Sequence, residues 1–186
     1  MESRIEINDP IHKRIVLTER EKEILDHPYV QRLRHIKQLG FVSYVYPSAT
    51  HDRFSHTVGT LHVVNLLAEQ IFENDTVSTV ARTLSSEEKT FLKNLLRLAG
   101  LLHDIGHAPF SHTAERAMPL VEKLDLPKSW LRNPNEKRIA THEDYTVLLI
   151  RGMTEGKNAI LDEDEAVILS SLVHHKKIKI HDAWEK

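Results

Sequence analysis

Apolar residues recur every three or four positions along most of this chain, with interruptions at prolines and glycines, and that period predicts helices. Thr18 followed by Glu21 is a capping-box pattern that opens a helix ending near Asp26, because Pro28 disfavours helical backbone just before it. Val30, Leu33, Ile36 and Lys37 share helical spacing, so a second helix is expected over 29–39, with Gly40 just past its end. Residues 41–46 are aromatic and β-branched and stop at Pro47, which suits an extended or loop segment. A long helix is expected over 55–74, with Val58, Leu61, Leu66 and Ile71 near a 3.6 period and Val64, Leu67 and Ala68 broadening the face. Residues 75–84 read as a polar connector.

Ser86, or Ser85 before it, can cap a helix running from 87 to about 104. Leu92, Leu95, Leu96, Ala99 and Leu102 make it apolar almost all round, so it should be central and buried. Gly106 and then Ala108-Pro109 break it. Helix resumes near Thr113, is interrupted at Pro119 and ends by Pro127. A polar loop over 128–141 precedes two last helices, 142–151 and 162–175. No repeat or linker divides the chain, so the expectation is one all-α domain over 1–186.

Charge narrows the function classes. The 25 basic residues nearly balance 27 acidic ones, which gives no support to nucleic-acid coating. No apolar run approaches the ~18 residues of a membrane span, and residues 1–10 lack the apolar stretch of a secretory signal. With no cysteine there is no disulfide, thiolate zinc site or cysteine nucleophile, and the chain reads as soluble and cytoplasmic.

The chemistry concentrates in the 13 histidines. The stretch Leu101-Leu102-His103-Asp104-Ile105-Gly106-His107 places an adjacent His-Asp pair at the end of a buried helix. A neutral ring nitrogen beside a carboxylate suits a divalent cation, and it suits a hydrogen-bonded helix end equally well. His51-Asp52-Arg53-Phe54-Ser55-His56 opens the long helix, with Arg53 three residues before His56 and placed to grip an anion. His107, His112 and Glu115 follow closely, and His112 and Glu115 stand one helical step apart. A histidine suits proton transfer near neutrality. His142-Glu143 is a weaker addition, and His51 joins the group only by position. His12, His27, His35, His62 and His181 show no ligand arrangement, and His174-His175 before Lys176-Lys177 reads as a solvated helix end.

The order of His56 and then His103-Asp104 resembles the HD-domain phosphohydrolase superfamily. The finer resemblance is to its deoxynucleoside triphosphate triphosphohydrolase branch. It rests on Asn8-Asp9-Pro10-Ile11-His12, on Gln31 to Gly40, on His51 to Gly59 and on Leu101 to His112. It covers residues 5–115 well, reaches His142-Glu143 and is thin beyond. The resemblance implies an HD-domain helical bundle that binds a divalent metal ion through His56, His103 and Asp104, with iron, manganese, nickel, zinc, cobalt or magnesium all admitted. It implies His107 and His112 as catalytic histidines, with Glu115 orienting one of them. Arg53 and His142 would face phosphate, and Gln38 and Leu39 would line the sugar. The implied reaction is hydrolysis of a dNTP to deoxynucleoside and triphosphate, and the implied partners are the nucleotide and further copies of the chain.

Two departures bear on this. The branch's fourth metal ligand is an aspartate in a downstream stretch that has no counterpart here, since Asp162, Asp164 and Asp182 lack its context. Family enzymes are also longer, so an HD domain incomplete at its C-terminus is expected. Asp26, Gln31 and Arg34 match residues that bind a regulatory nucleotide in some members, while Ile5 stands where those members use lysine. A non-catalytic nucleotide-sensing module and an HD phosphatase or phosphodiesterase acting on another nucleotide are the competing expectations.

Overall fold

The structure is a computed structural model and describes residues 5–74, 81–131, 133, 135 and 137–174. It opens with an antiparallel hairpin that the helical period did not announce, β1 (Ile5–Asp9) paired with β2 (Lys13–Leu17) in the register Ile5 to Leu17. Asp9 Oδ1 accepts the backbone N–H groups of Ile11 and His12 at 2.8 and 2.7 Å, and Lys13 turns the corner at φ 61°. Ile15 and Leu17 face inward and close one side of the core.

Helix α1 (Glu19–Asp26) starts at Thr18, whose side chain and that of Glu21 satisfy each other's backbone N–H groups. The expected helix over 29–39 does not form as one piece. Only Pro28–Gln31 is α-helical (α2), a 3-10 turn covers Arg32–His35, and Ile36 is extended. The reason is tertiary. The Ile36 carbonyl accepts the N–H of Arg53 at 2.8 Å and Lys37 bridges to Asp52, so this strand-like piece holds the start of the next helix. Residues Val42–Tyr44 form a 3-10 turn where loop or strand is expected.

Helix α3 (Arg53–Glu73) is capped by Asp52, and α4 (Ser86–Leu102) by the reciprocal pair Ser85 and Glu88. They form the central pair. Gly100 lets them approach, since a Cβ there would sit 3.1 Å from Val64 Cγ2. Phe54, Val58 and Leu61 meet Leu98, Leu101 and Leu102 in the core, as the pattern of α4 predicts. Leu66, Leu67 and Ile71 of α3 stay exposed, so its apolar face is only half used. After α4 a 3-10 turn, Ser111–Ala117, replaces the helix expected from Thr113. Helices α5 (His142–Gly152) and α6 (Glu163–Val173) pack on each other and supply Val147, Ile150 and Leu169 to the core. Among the described residues no helix is long and apolar enough to cross a membrane.

His174 does not end α6 in solvent as expected. It is 1% exposed, with Nδ1 3.0 Å from the Trp130 carbonyl. Burial under the 128–131 loop wins over the helix-end preference for solvated cations. His175, Lys176, Lys177, His181 and Asp182 lie outside the described residues.

Candidate metal and phosphate centre

The first turn of α3 and the last turn of α4 bring His56, His103 and Asp104 together. His56 Nε2 lies 3.3 Å from His103 Nε2, His103 Nε2 lies 3.3 Å from Asp104 Oδ1, and His56 Nε2 lies 3.6 Å from Asp104 Oδ2. Nδ1 of His103 is 2.8 Å from the Gly100 carbonyl, so that nitrogen carries the proton and Nε2 is left with a lone pair. Burial pushes the His56 ring below its ordinary value against the pull of Asp104, which favours the neutral, ligating form. Two ring nitrogens facing each other at this distance call for something positive between them. Donors about 2.0–2.1 Å from a tetrahedral cation stand about 3.3–3.4 Å apart, close to the edges of this triangle. The donor set therefore fits a divalent ion. His56 and His103 are about one-third exposed, with side chains 37% and 34% accessible, so one side of the triangle is open.

Asp104 is buried, and burial raises its carboxyl. His103, His107, Arg53 and His56 around it outweigh burial and hold it below the ordinary range. Arg53 is 2% exposed and sits behind the triangle. One of its terminal nitrogens donates to Asp104 Oδ2 at 2.5 Å, and the other donates to Ser111 Oγ and approaches the Gln38 carbonyl at 3.4 Å. Its nearest anion is Asp104, so in this structure Arg53 orients that carboxylate and does not stand open to solvent.

Beside the triangle lies a second group, His107, His112, Glu115 and His142. His107 Nε2 stands 3.5 Å from Asp104 Oδ1 and joins the two groups. Glu115 Oε1 receives His142 Nδ1 at 2.5 Å and His112 Nδ1 at 3.1 Å. Burial raises the Glu115 carboxyl, and these two hydrogen bonds outweigh it and lower it. His107 and His142 stack with centroids 3.9 Å apart and planes 13° apart. The ring nitrogens of His107, His112 and His142 thus crowd around Glu115. Burial and the neighbouring His142 push His107 down to about 3, so it is neutral. Its Nδ1 is buried without a partner, as is Oε1 of Gln38.

The backbone that presents these groups is unusual. Phe110 and Ser111 both take left-handed conformations, at φ 69° and 58°, costing about 1–3 kcal/mol each. Phe110 stacks on Phe41 at 4.7 Å, which holds the turn. Leu39 is exposed and lines, with Gln38, Phe41, Phe110, Ser111 and His112, an open groove of about 500 Å³ beside the site.

Three positioning residues escaped the sequence reading. Arg32 donates to the carbonyls of Ile105 and His107 at 2.5 and 2.8 Å and holds the loop after the His-Asp pair. Thr146 Oγ1 accepts the Gly106 N–H at 3.0 Å and donates to the His103 carbonyl at 3.0 Å. Gly106 is needed because a Cβ there would lie 2.2 Å from the His142 carbonyl. Spacing along the chain does not reveal Arg32 or Thr146, but the glycine two residues after the His-Asp pair is a signal of close approach.

Of the other residues singled out, Gln31 and Arg34 are together, with Arg34 Nε donating to Gln31 Oε1 at 2.9 Å and the guanidinium 3.4 Å over the Phe54 ring. Asp26 is paired with Lys22 at 3.0 Å on the surface. Asp162 caps α6 by accepting the Glu165 N–H, and with Asp164 it lines a groove by α1 and α4, away from the triangle. Among the described residues, no second carboxylate joins His56, His103 and Asp104 as a fourth donor.

Comparison with known proteins gives the family of the chain. Human deoxynucleoside triphosphate triphosphohydrolase SAMHD1 is 42% identical over 187 residues, covering 95% of this chain and 26% of that protein. Its Dictyostelium discoideum homologue is 30% identical over 171 residues, covering 91% of this chain and 29% of that protein. An uncharacterized protein of Methanocaldococcus jannaschii is 47% identical over 109 residues, covering 59% of this chain and 20% of that protein. The chain thus spans less than a third of the length of these relatives. A sequence model described as the HD domain matches residues 53–182, the span that runs from Arg53 through the triangle and the histidine group, and the chain belongs to the HD domain family.

Proposed function

We propose that this chain carries the active site of a metal-dependent phosphohydrolase whose substrate is a dNTP, cleaved to deoxynucleoside and triphosphate. The observation that carries the reading is a three-donor triangle with edges of 3.3–3.6 Å standing 3.5 Å from a histidine–glutamate group. His56, His103 and Asp104 would hold a divalent cation, which supplies charge neutralisation for phosphate oxygens and acidifies water. Arg53 fixes the Asp104 carboxylate toward that position. Glu115 fixes Nδ1 of His112 and of His142 as donors, so Nε2 of each is the nitrogen left to face a phosphate or a leaving oxygen. Neutral His107 offers its unpartnered Nδ1. The bond broken joins the α-phosphorus to the 5′-oxygen. Water supplies hydroxyl to phosphorus, and its proton would pass to the departing 5′-oxygen through Nε2 of the exposed His112, which carries it as imidazolium while Nδ1 stays on Glu115. Gln38 and Leu39 flank the groove that would take the nucleoside, and the orphaned Gln38 Oε1 is an acceptor for a sugar hydroxyl.

The relatives named as dNTP triphosphohydrolases support the substrate class. The test is incubation of the purified chain with each dNTP and added manganese, iron, nickel, cobalt, zinc or magnesium, followed by chromatography. Triphosphate and deoxynucleoside in equal amounts are expected. Monophosphate or pyrophosphate released from other nucleotides instead would replace the dNTP with a different phosphate ester. One observation bears on a second reading, a nucleotide-sensing module that forms homo-oligomers without turnover: Arg34 and Gln31 stand together near the surface, with Nε donating to Oε1 at 2.9 Å. That reading predicts nucleotide-dependent assembly through Asp26, Gln31 and Arg34 and no hydrolysis.

A further inference from the structure

Next to His142 in sequence lies a buried charge network made of residues outside the His107, His112, Glu115 and His142 group. Asp144, two residues on in the first turn of α5, is 0% exposed. A carboxylate so placed must be matched by donors. Arg138 grips it through both terminal nitrogens at 2.5 and 2.7 Å, and the N–H and hydroxyl of Thr141 donate to Oδ2 at 2.8 and 3.1 Å. From the far side His174, at the end of α6, brings Nε2 to 3.4 Å of Oδ1, an ion-pair approach without hydrogen-bond alignment. The other nitrogen of His174 is on the Trp130 carbonyl. Both nitrogens therefore face oxygen, and a neutral ring can donate from only one. Burial raises the Asp144 carboxyl, and the His174, Arg138 and Thr141 contacts outweigh it and hold it well below the ordinary range.

The network joins three pieces far apart in the chain: the 130–141 loop, the N-terminus of α5 and the end of α6. Its hub lies beneath the helical turn that begins with His142. That ring must reach Glu115 at 2.5 Å and stack on His107, and its carbonyl packs against Gly106. A helix start free to shift by an ångström would break all three relations. Asp144 already has its cap partner in Thr141, so Arg138 and His174 are more than capping needs.

We propose that Asp144, Arg138 and His174 are positioning residues for His142, setting the rotation of the α5 N-terminus that places its ring between His107 and Glu115. The proposal deepens the phosphohydrolase reading and rests on it for its kinetic consequence, but its structural consequence can be read without any turnover. In the full chain, side-chain NMR should show a downfield Nδ1 proton for His142, as suits a short bond to a carboxylate. In R138Q and H174Q that proton should vanish or broaden, with His56 and His103 signals unmoved. D144N, which keeps a cap acceptor but loses the charge, should do the same. The kcat/KM for dNTP hydrolysis should fall about tenfold in each. Adding R138Q to H142A should cost no further activity, because the network acts through that ring. If the His142 signals persist in R138Q and H174Q while the melting temperature drops, or if R138Q and H142A losses multiply, the proposal is overturned and the network is structural only. Should D144N fail to fold, R138Q, at a partly exposed side chain, and H174Q decide the matter. Absence of triphosphate release from the unmodified chain would sink the dNTP reading and leave the NMR comparison to judge the network.

Discussion

The two halves of the site are built on opposite plans. The triangle of His56, His103 and Asp104 stands on the ends of two long, packed helices, and its donor atoms face one another with no proton to share. The His107, His112, Glu115 and His142 group stands on a 3-10 turn, a strained loop and the start of a short helix, and hydrogen bonds satisfy most of it from within. A scaffold with unmet electrostatic demand selects a cation. A self-satisfied group keeps its protons in place until a substrate displaces a partner. The contrast separates a cluster of facing donors from a hydrogen-bonded one, and it can be broken at several points.

The largest effect is expected at Asp104. Asp104→Ala should abolish bound metal and, by leaving Arg53 buried without its partner, destabilise the fold by about 3–5 kcal/mol. Elemental analysis and urea melts read both. Metal retained at the level of the unmodified chain would remove the triangle as the cation site. Next comes Gly106→Ala, where a methyl meets the His142 carbonyl and Thr146 nitrogen at 2.2 Å. A loss of about 3 kcal/mol is expected, together with loss of the His142–Glu115 bond by NMR. An unshifted melt would mean that α5 is not seated on the loop.

A smaller effect isolates the cation. His56→Ala removes a ligand but no internal donor, so the chelator-treated variant should melt within a degree or two of the chelator-treated parent. A chelator should lower the parent's melting temperature and leave the variant's unchanged. Equal chelator responses would place the ion elsewhere. The other half has a pH signature. His107 titrates at about 3 when folded and near 6.5 when free, so the unfolded chain binds its proton first as pH falls. Stability from this source is complete above about 6.5 and is lost on acidification toward 3. Melts of the metal-free protein should therefore decline more steeply over that window than those of His107→Asn. Parallel curves would mean that the ring protonates freely. Smallest in stability is His112→Ala, within about 0.5 kcal/mol because that ring is mostly exposed, although turnover should drop by about a hundredfold or more.

The sequence was most legible where local signals and tertiary demands agree. Thr18–Glu21 and Ser85–Glu88 mark helix starts that the fold uses, and the apolar girth of α4 announces its central place. The grouping of His56, His103 and Asp104 comes from the family resemblance, since adjacency of His103 and Asp104 alone suits a hydrogen-bonded helix end equally well, and the fold brings the three together. Legibility failed where distant contacts override a local period. The helix expected through 29–39 gives way because Arg32 is drawn to the loop carbonyls and Ile36 to the Arg53 N–H. The hairpin was hidden behind a turn without the usual Asn-Gly pair, although Ile5 and Ile7 already alternate inward. His174 read as a solvated end because nothing local reveals that Trp130 and Asp144 cover it. Spacing and the resemblance both turn Arg53 toward an anion, and neither reveals its burial between Asp104 and Ser111.

The placement of the triangle on α3 and α4 also bears on the order of assembly. His56 and His103 are 47 residues apart in the chain, on consecutive long helices that pack as a hairpin. His142 arrives later, across the 128–141 loop. Contacts between neighbours in sequence close shorter loops and cost less entropy. The His56, His103 and Asp104 triangle can therefore be complete once the chain has emerged through Asp104, and the group that includes His142 then docks onto a surface already set.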